Sequence, residues 1–364
     1  MSVKLTDQIH QSGASELSSR PMPITIIGGG LAGLTLGIGL RQRSVPVLIW
    51  ETGDYPRHRV CGEFISGRGQ ETLRRLELLE LVFAAGARKA NTTAFFGPSK
   101  SLGVRTLPQP ALCLSRFTLD ALLAERFRDL GGELHSGARG PQSEFDQGTV
   151  RASGRRAQTA ATGWRWFGVK AHIHDFELTA DLEMHFNGKG YVGLCRLPEG
   201  KTNICGLFRH RSGEVDPPCT IAGRLRGAPG AILYERLQTA HFDENSFCAV
   251  GGLGLGARLA ASCKECCIGD ALTMIPPVTG NGMSMAFESA ELALNPLLAY
   301  ARREIPWEAC QRLVAKACDK AFASRLRWAQ RLQAMLMCPK FQQHLLPIVW
   351  KWDACWNFFF WATR

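Results

Sequence analysis

Three glycines near the start of the chain have the spacing of a phosphate-binding turn. The motif Gly28-x-Gly30-x-x-Gly33 follows the apolar run Ile24–Ile27 and opens a stretch rich in Leu, Ala and Gly that ends near Arg41. Gly28 permits a tight turn, Gly30 lets the backbone approach a pyrophosphate at a helix N-terminus, and Gly33 lets that helix pack closely on the strand. The spacing therefore predicts a strand–turn–helix unit that binds a dinucleotide.

An acidic residue completes this unit. The second apolar run, Val45–Trp50, ends at Glu51, and a carboxylate at the end of such a strand accepts hydrogen bonds from ribose hydroxyls. Strand, helix and strand follow one another within about 30 residues, which is the length of a βαβ unit in a parallel sheet.

A second motif occurs much later in the chain. An apolar run ends at Gly269-Asp270, a Pro-rich loop follows with Ile275-Pro276-Pro277, and Gly280-Asn281-Gly282-Met283 opens a long helical stretch. A carboxylate at a strand end can hold a sugar or ribityl hydroxyl, and a helix N-terminus presents unpaired N–H groups and a positive dipole end. This arrangement favours an anionic ring such as a reduced flavin.

Together with Tyr55–Glu63 and Ser115–Asp120, these motifs resemble a known family in order and spacing. The chain is similar, over about residues 22–300, to the FAD-dependent oxidoreductases that group geranylgeranyl reductases with aromatic-ring hydroxylases and flavin-dependent halogenases. The stretch Pro56-Arg57-x-x-x-Cys61-Gly62-Glu63 most resembles the geranylgeranyl reductase-like branch.

The resemblance implies FAD as the cofactor and a role for each matching position. Glu51 would bind the adenosine ribose, Arg116 would lie near the phosphates, Asp270 would hold the ribityl chain, and Arg59–Glu63 would lie along the flavin and help to shape the substrate pocket. The residues Gly280–Met283 would sit at the pyrimidine edge of the ring. The implied cofactor-binding residues are Gly28, Gly29, Gly30, Ala32, Gly33, Glu51, Arg59, Cys61, Gly62, Arg116, Asp270, Pro277, Gly280, Asn281, Gly282 and Met283.

The sequence departs from the family pattern at two points. Aromatic-ring hydroxylases carry an Asp-Gly motif on the path of NAD(P)H, and the nearest stretch here, Ala152–Arg156, lacks the Asp. NAD(P)H is therefore kept as a candidate electron donor, without a dedicated motif. Halogenases carry Trp-x-Trp-x-Ile-Pro, and Trp164–Val169 matches only its first half.

Cys61 is the candidate catalytic residue. Its thiol either donates a proton beside the flavin or is a small packing residue within the motif. A thiolate would require a lowered pKa, for which Arg57, His58 and Arg59 are the adjacent cationic or potentially cationic groups.

Lys170, His172 and His174 alternate along a run with strand character, so they share one face. That face either offers a proton donor to the active site or is an ordinary polar strand face. Because no third ligand stands at a matching spacing, we predict no metal site. Cys263-x-x-Cys266-Cys267 lacks a second CxxC and is interpreted as buried strand cysteines.

These elements predict an α/β fold. We expect a Rossmann-like, doubly wound FAD-binding domain of the glutathione-reductase type, a smaller antiparallel β-sheet substrate domain and a helical C-terminus. The expected segments are a flexible leader at 1–21, the FAD-binding domain at 22–85, 105–160 and 245–300, the substrate domain at 86–104 and 161–244, and the C-terminal helical region at 301–364. Within the substrate domain, the runs between Phe167 and Phe208 predict an antiparallel meander of three or four strands. Helices are predicted at 119–130, capped by Ser115 or Thr118, and at 282–300 and 307–338.

Composition narrows the class of protein. The 364 residues are 45% hydrophobic and 21% charged, which excludes a disordered, collagen-like or coiled-coil chain. The net charge is +11, and residues 302–364 hold 11 Lys and Arg against 4 Asp and Glu. Such an excess suits an anionic cofactor or an anionic membrane surface. No nucleic-acid reader motif is visible, so we predict no nucleic-acid partner.

The final residues are unusually aromatic. Seven of the last fifteen are Trp350, Trp352, Trp356, Phe358, Phe359, Phe360 and Trp361. Residues 345–364 are therefore either an anchor at a membrane surface or a helix packed over the substrate domain. No apolar run is long enough to span a membrane. An odd number of cysteines, 13, and a polar N-terminal stretch predict a reduced, cytoplasmic protein, with peripheral membrane association left open.

The expected function is FAD-dependent hydride transfer to or from a C=C bond of a hydrophobic substrate of polyprenyl, polyketide or related type. Two alternatives remain open. One is a flavin-dependent monooxygenase that hydroxylates an aromatic or polyketide substrate. The other is a FAD-bound, membrane-associated protein without turnover.

Overall fold

The structure, a computed structural model, describes residues 21–97, 99–140, 147–155, 163–211 and 219–364. The strands are β1 Ile24–Ile27, β2 Val47–Trp50, β3 Phe64–Ile65, β4 Arg88–Phe96, β5 Ser101–Cys113, β6 Glu133–His135, β7 Thr149–Arg151, β8 Trp164–His174, β9 Leu182–Asn187, β10 Gly190–Arg196, β11 Lys201–Arg211, β12 His241–Val250 and β13 Cys266–Cys267. The helices are α1 Leu31–Arg41, α2 Gly69–Arg75, α3 Leu79–Ala84, α4 Arg116–Asp129, α5 Ile221–Arg226, α6 Ile232–Arg236, α7 Gly282–Ala301, α8 Trp307–Leu336, α9 Leu346–Val349 and α10 Asp353–Ala362. Apart from Pro21, the leader expected at 1–21 lies outside the described residues.

A parallel sheet forms the first layer. Its order is β13-β7-β1-β2-β6, and every pairing in it is parallel. The central strands β1 and β2 are mostly apolar and are buried or half-buried, as expected for a parallel sheet covered by helices.

Helix α1 is enclosed by its neighbours, and its residues Leu31–Leu40 are all buried. Two glycines permit this close packing. A Cβ at Gly37 would lie 2.8 Å from atoms of both Ile49 and Phe127, and a Cβ at Gly39 would lie 2.7 Å from Leu294. The helix that follows the glycine-rich turn is therefore fixed rigidly between β2, α4 and α7.

The second sheet has eight strands in the order β12-β8-β11-β10-β9-β4-β5-β3. Strands β9, β10 and β11 form the predicted meander, and β8 joins it beside β11. All pairings are antiparallel except that between β4 and β9. By number of strands this sheet is the larger of the two, although we expected it to be the smaller layer.

The α/β class, the two separate sheets and the helical C-terminus are confirmed. The helices predicted at 119–130, 282–300 and 307–338 occur as α4, α7 and α8, and Ser115 caps α4 by accepting a hydrogen bond from the backbone N–H of Thr118 at 3.1 Å. The strands β3 and β5 pair within the antiparallel sheet although much of each lies in segments assigned to the first domain. The domain boundaries themselves stay predictions.

Candidate functional site

The turn between β1 and α1 is crowded at Gly28 and Gly33 but open at Gly30. Gly28 has a φ of +114°, and a Cβ there would lie 2.6 Å from the Cα of Ser153. A Cβ at Gly33 would overlap the Gly28 carbonyl oxygen, so only glycine permits this approach of helix and strand. At Gly30, the N-cap of α1, nothing lies within 4 Å of where a Cβ would be. The N-terminus of α1 therefore faces open space that an anion can occupy.

The later motif packs directly against this turn. Gly269 has a φ of +59°, and a Cβ there would lie 2.8 Å from the Cβ of Ala32. Its backbone N–H donates to the Ser289 hydroxyl at 2.9 Å, which ties the motif to α7. Two segments far apart in sequence thus meet at the N-terminal end of α1.

Glu51 directly follows β2, and its carboxylate accepts a hydrogen bond from the Thr52 hydroxyl at 3.2 Å. Its carboxylate receives the backbone N–H of Gly29 at 2.8 Å and that of Gly53 at 3.0 Å, pairs with Arg57, and lies 3.6 Å from Arg59. Burial alone would raise the pKa of Glu51, but the Gly53 N–H and the Arg57 guanidinium outweigh it and lower the pKa. Glu51 is therefore an ionised acceptor at the edge of the turn. The hydroxyl of Tyr55 donates to the Gly29 carbonyl and covers the same turn.

A second group of charges adjoins the first through Arg59. Arg116 forms a bidentate pair with Asp120, at 2.7 and 2.8 Å, and Arg59 Nε lies 3.2 Å from the same carboxylate. Asp270 is an exposed residue. The protein packed around it raises its pKa, and the charges of Arg116 and Arg155 only partly oppose this. The Asp270 carboxylate is therefore within electrostatic reach of two guanidinium groups.

The loop before α7, residues 276–281, carries the remaining candidate cofactor-binding residues. Pro277 opens a short 3₁₀ turn, Gly280 has a φ of +64°, and a Cβ at Gly280 would overlap the Phe64 ring. Asn281 is buried, and its amide N–H donates to the carbonyl of Thr363 at 2.8 Å. Its amide oxygen has no partner among the described residues.

The first turn of α7 follows this loop. The nearest atom to a Cβ placed at Gly282 would be 4.0 Å away, so this end of the helix is also uncrowded. Met283 is buried in the core beside it.

A charge cluster that is buried at Glu63, Lys170 and His172 and half-buried at His58 joins residues 58–63 to β8. Lys170 Nζ lies 3.0 Å from one Glu63 oxygen and 3.1 Å from His58 Nδ1, and His172 Nε2 lies 2.7 Å from the other Glu63 oxygen. The backbone N–H of Arg116 adds a further bond to Glu63 at 2.9 Å. We call Glu63, Lys170, His172 and His58 the Glu63 cluster.

Electrostatics within the Glu63 cluster follow from these contacts. Burial would raise the pKa of Glu63, but the hydrogen bond from His172 and the charge of Lys170 lower it. Burial and the charges of Lys170 and His172 lower the pKa of His58 to about 4, so its ring is neutral at pH 7 and Nδ1 accepts from Lys170. The carboxylate and the ammonium therefore compensate each other inside the protein.

The sequence missed half of this cluster. It indicated Lys170 and His172 as neighbours on one strand face, while His58 and Glu63 come from a loop over 100 residues earlier. Ligand atoms of His58, Glu63 and His172 lie within 4.8 Å of one another, so three candidate ligands do meet although we expected no third one. The Lys170 ammonium supplies the positive charge in this cluster, which removes the electrostatic need for an ion.

Cys61 borders the Glu63 cluster. Its sulfur accepts the backbone N–H of Glu63 at 3.4 Å, and its carbonyl accepts the Asn203 amide at 3.0 Å. Burial raises the pKa of Cys61, and the nearby Arg116 only partly opposes this. The thiolate considered from the sequence is therefore disfavoured, because the thiol keeps its proton at neutral pH. A Cβ at the adjacent Gly62 would lie 3.0 Å from the Phe64 ring.

Two other sequence patterns have plain structural roles. Trp164 and Trp166 lie under the guanidinium of Arg209, at 4.4 and 5.6 Å from the ring centroids. Cys266 and Cys267 are buried in β13, as predicted, but the prediction was wrong for Cys263, which precedes the strand and is only half-buried.

Comparisons with known proteins identify the fold. No protein-family model matches the chain, and no curated protein matches it in sequence. Among solved structures, the flavin-dependent brominase Bmp2 is 17% identical with a TM-score of 0.69, covering 94% of this chain and 94% of that one. The myxobacterial chondrochloren halogenase CndH, a FAD-dependent halogenase, is 17% identical with a TM-score of 0.71, covering 86% and 82%. A flavoprotein/dehydrogenase from Cytophaga hutchinsonii is 15% identical with a TM-score of 0.69, covering 87% and 86%.

At these identities the comparisons establish a shared architecture. The protein has the fold of flavin-dependent enzymes that carry a parallel sheet, a separate antiparallel sheet and a helical C-terminal region.

Proposed function

We propose that the protein is a FAD-dependent oxidoreductase that acts on a hydrophobic substrate. The observation that carries this proposal is a pair of uncrowded helix N-termini, those of α1 and α7, whose motifs are joined through Gly269. Helix α1 opens at Gly30 and α7 at Gly282, and Gly269 packed on Ala32 brings the two motifs together. The solved flavin-dependent enzymes of the same fold support the choice of FAD.

The residues near these two helix N-termini have the chemistry that the parts of FAD require. Glu51 is an ionised acceptor suited to ribose hydroxyls, and the open N-terminus of α1 suits a pyrophosphate. Asp270 is exposed within electrostatic reach of Arg116, which suits the ribityl chain and its neighbouring phosphate. The unpaired amide oxygen of Asn281 is an orphaned polar atom at the end where the flavin ring would bind.

Bound FAD would supply two-electron redox chemistry, and the chain would supply binding, charge and exclusion of water. The N-terminus of α7 would stabilise negative charge at the pyrimidine edge of the ring. Residues 59–62 would line the ring, and the Glu63 cluster behind them holds titratable protons in a buried network. Three apolar side chains of the antiparallel sheet, Phe186, Tyr191 and Leu207, form a cluster with Leu253 and with Val278 of the loop before α7. Such surroundings suit a hydrophobic substrate.

We favour hydride transfer to or from a C=C bond, because the Pro56-to-Glu63 stretch resembles the geranylgeranyl reductase-like branch. Oxygen-dependent chemistry on an aromatic or polyketide substrate is the second candidate. It is supported by the flavin-dependent halogenases among the solved structures, although the chain matches only half of the halogenase Trp motif. NAD(P)H is the proposed electron donor in either case.

The test is the absorption spectrum of the purified protein, followed by anaerobic reduction with light or NADPH and then admission of air. We expect a yellow protein whose reduced form reoxidises slowly in air and is reoxidised by an unsaturated lipophilic acceptor. Rapid reoxidation coupled to hydroxylation or halogenation of an added aromatic compound would favour the second candidate. A colourless protein that does not take up FAD would overturn the proposal.

A further inference from the structure

The C-terminal segment presents large apolar side chains to solvent on one side. Trp352 is 62% exposed and Trp361 55%, values unusual for tryptophan. In α10 the exposed positions are 353, 354, 357, 358 and 361, which is the spacing of one helix face. On that face Phe358 and Trp361 stand where a surface helix would carry polar residues. The exposed apolar side chains of this segment are Leu345, Ile348, Trp352, Phe358 and Trp361, and we call them the tail surface.

The opposite side of the same segment is firmly attached. Trp350 stacks on Phe95 with ring centroids 4.0 Å apart, and the Trp356 indole N–H donates to the Thr106 carbonyl at 3.2 Å. Arg105 pairs with Asp353. The tail surface is therefore presented on a fixed support, beside an open groove of about 680 Å³ between β5 and the tail.

The charge around the tail surface has a single sign. From residue 320 to residue 364 the sequence has seven Lys and Arg and one acidic residue, Asp353, which is engaged by Arg105. Arg327, Arg331, Lys340 and Lys351 are exposed. Phe358 packs on Trp328 at 4.9 Å, and Arg331 lies 5.0 Å over that ring, so apolar and basic groups are interleaved.

We propose that the tail surface docks on an anionic lipid surface. Trp and Phe prefer the boundary between headgroups and acyl chains, and Lys and Arg around them attract anionic headgroups. A second copy of this chain is a poorer occupant, because pairing the same face would bring the basic rims together. No helix among the described residues is long and apolar enough to cross a membrane, so the contact lies at the surface.

The test is co-sedimentation of the full chain with vesicles of phosphatidylcholine alone and of phosphatidylcholine mixed with an equal part of phosphatidylglycerol. We expect binding to the mixed vesicles, weakened by added salt. Phe358→Ser together with Trp361→Ser should weaken partitioning by about tenfold or more. Lys340→Gln with Lys351→Gln should weaken binding to the mixed vesicles by about tenfold as well.

A matched control distinguishes the tail surface from exposed apolar residues in general. Leu259 and Leu313 are 54% and 47% exposed and lie outside the segment, so Leu259→Ser with Leu313→Ser should bind as the wild type does. Binding to neither vesicle, or equal loss in this control, would overturn the proposal. So would light scattering that shows a dimer lost in the Phe358/Trp361 variant, because the face would then be a protein interface. Neither outcome depends on FAD, so the proposed function is tested separately.

Discussion

Glu51 and Glu63 are both carboxylates flanked by two basic side chains, yet they differ in what surrounds those partners. The Arg57 and Arg59 side chains beside Glu51 are 27% and 33% exposed, whereas Lys170 beside Glu63 is 0% exposed. Exposed partners can turn into water and release their carboxylate to a ligand at small cost. Buried partners cannot, because a separated charge would remain in a medium of low polarity.

The difference assigns distinct work to two similar groups. In the proposed function, the region around Glu51 is a binding site whose contacts would be exchanged for those of a ribose. The Glu63 cluster is a buried set of ion pairs that holds residues 58–63 against β8 beside the proposed flavin site. Four predictions test this contrast.

Loss of one buried charge should have the largest effect. Glu63→Gln leaves the Lys170 ammonium buried without its carboxylate, and we expect the free energy of unfolding to fall by about 3–5 kcal/mol. Urea unfolding measures it. The double variant Glu63→Gln/Lys170→Met removes both charges and should recover part of the loss. If Glu63→Gln were as stable as the wild type, the Lys170 ammonium would not depend on Glu63 for compensation of its charge.

Two glycines of the binding turn should respond differently to the same added methyl group. Gly33→Ala overlaps the Gly28 carbonyl and should cost about 1–3 kcal/mol through displaced backbone. Gly30→Ala points into open space, so stability should change little while FAD content falls, because the methyl group occupies the approach to the pyrophosphate. Melting temperature and bound flavin per chain are the two measurements. Equal melting temperatures for both variants would contradict the geometry.

Removing the charge of Glu51 should weaken FAD binding more than it lowers the stability of the fold. Glu51→Gln should change the free energy of unfolding by no more than about 1 kcal/mol. It should weaken FAD binding by about tenfold, because a charged acceptor becomes a neutral one. Titration of the apoprotein with FAD gives the dissociation constant. Unchanged affinity would remove Glu51 from the proposed ribose site.

Lowering the pH should reduce the stability of the protein through His58 of the Glu63 cluster. Its pKa of about 4 in the folded protein lies below the ordinary value of 6.5, so between these values the unfolded chain binds more protons. Stability should therefore fall as the pH drops from about 6.5 to about 4. His58→Asn keeps an acceptor for Lys170 and should flatten the slope. The remaining slope comes from His185, whose pKa burial lowers, and near pH 4 from carboxylates with a lowered pKa such as Glu183. A slope in His58→Asn equal to that of the wild type would contradict the prediction.

The local motifs could be located from the sequence because the residues that form each of them are close together in the chain. The turn at Gly28–Gly33, the helix capped by Ser115 and the meander from β9 to β11 all occur where they were expected. The Glu63 cluster could not be found in this way, because its members come from a loop and from a strand more than 100 residues apart. The signal available was a Glu at the end of the Cys61-Gly62-Glu63 motif, which is hard to explain unless something buried pairs with it.

Cys61 shows the same limit for a single residue. Its neighbours in sequence are basic and suggested a lowered pKa, but its neighbours in space bury it and raise the pKa. For the aromatic tail, the sequence left a packed helix and a membrane anchor open, and the second of these stays a proposal. One side packs on β4 and β5, and the other side is exposed.

By itself, the sequence determined the α/β class, the phosphate-binding turn and the family resemblance. Each depends on residues close in the chain, where glycine conformations and hydrophobic periods act directly. Only the tertiary structure decided which charges are paired, which are buried and which glycines face open space. Those properties depend on the distances between segments and on access of water, and a linear order of residues specifies neither.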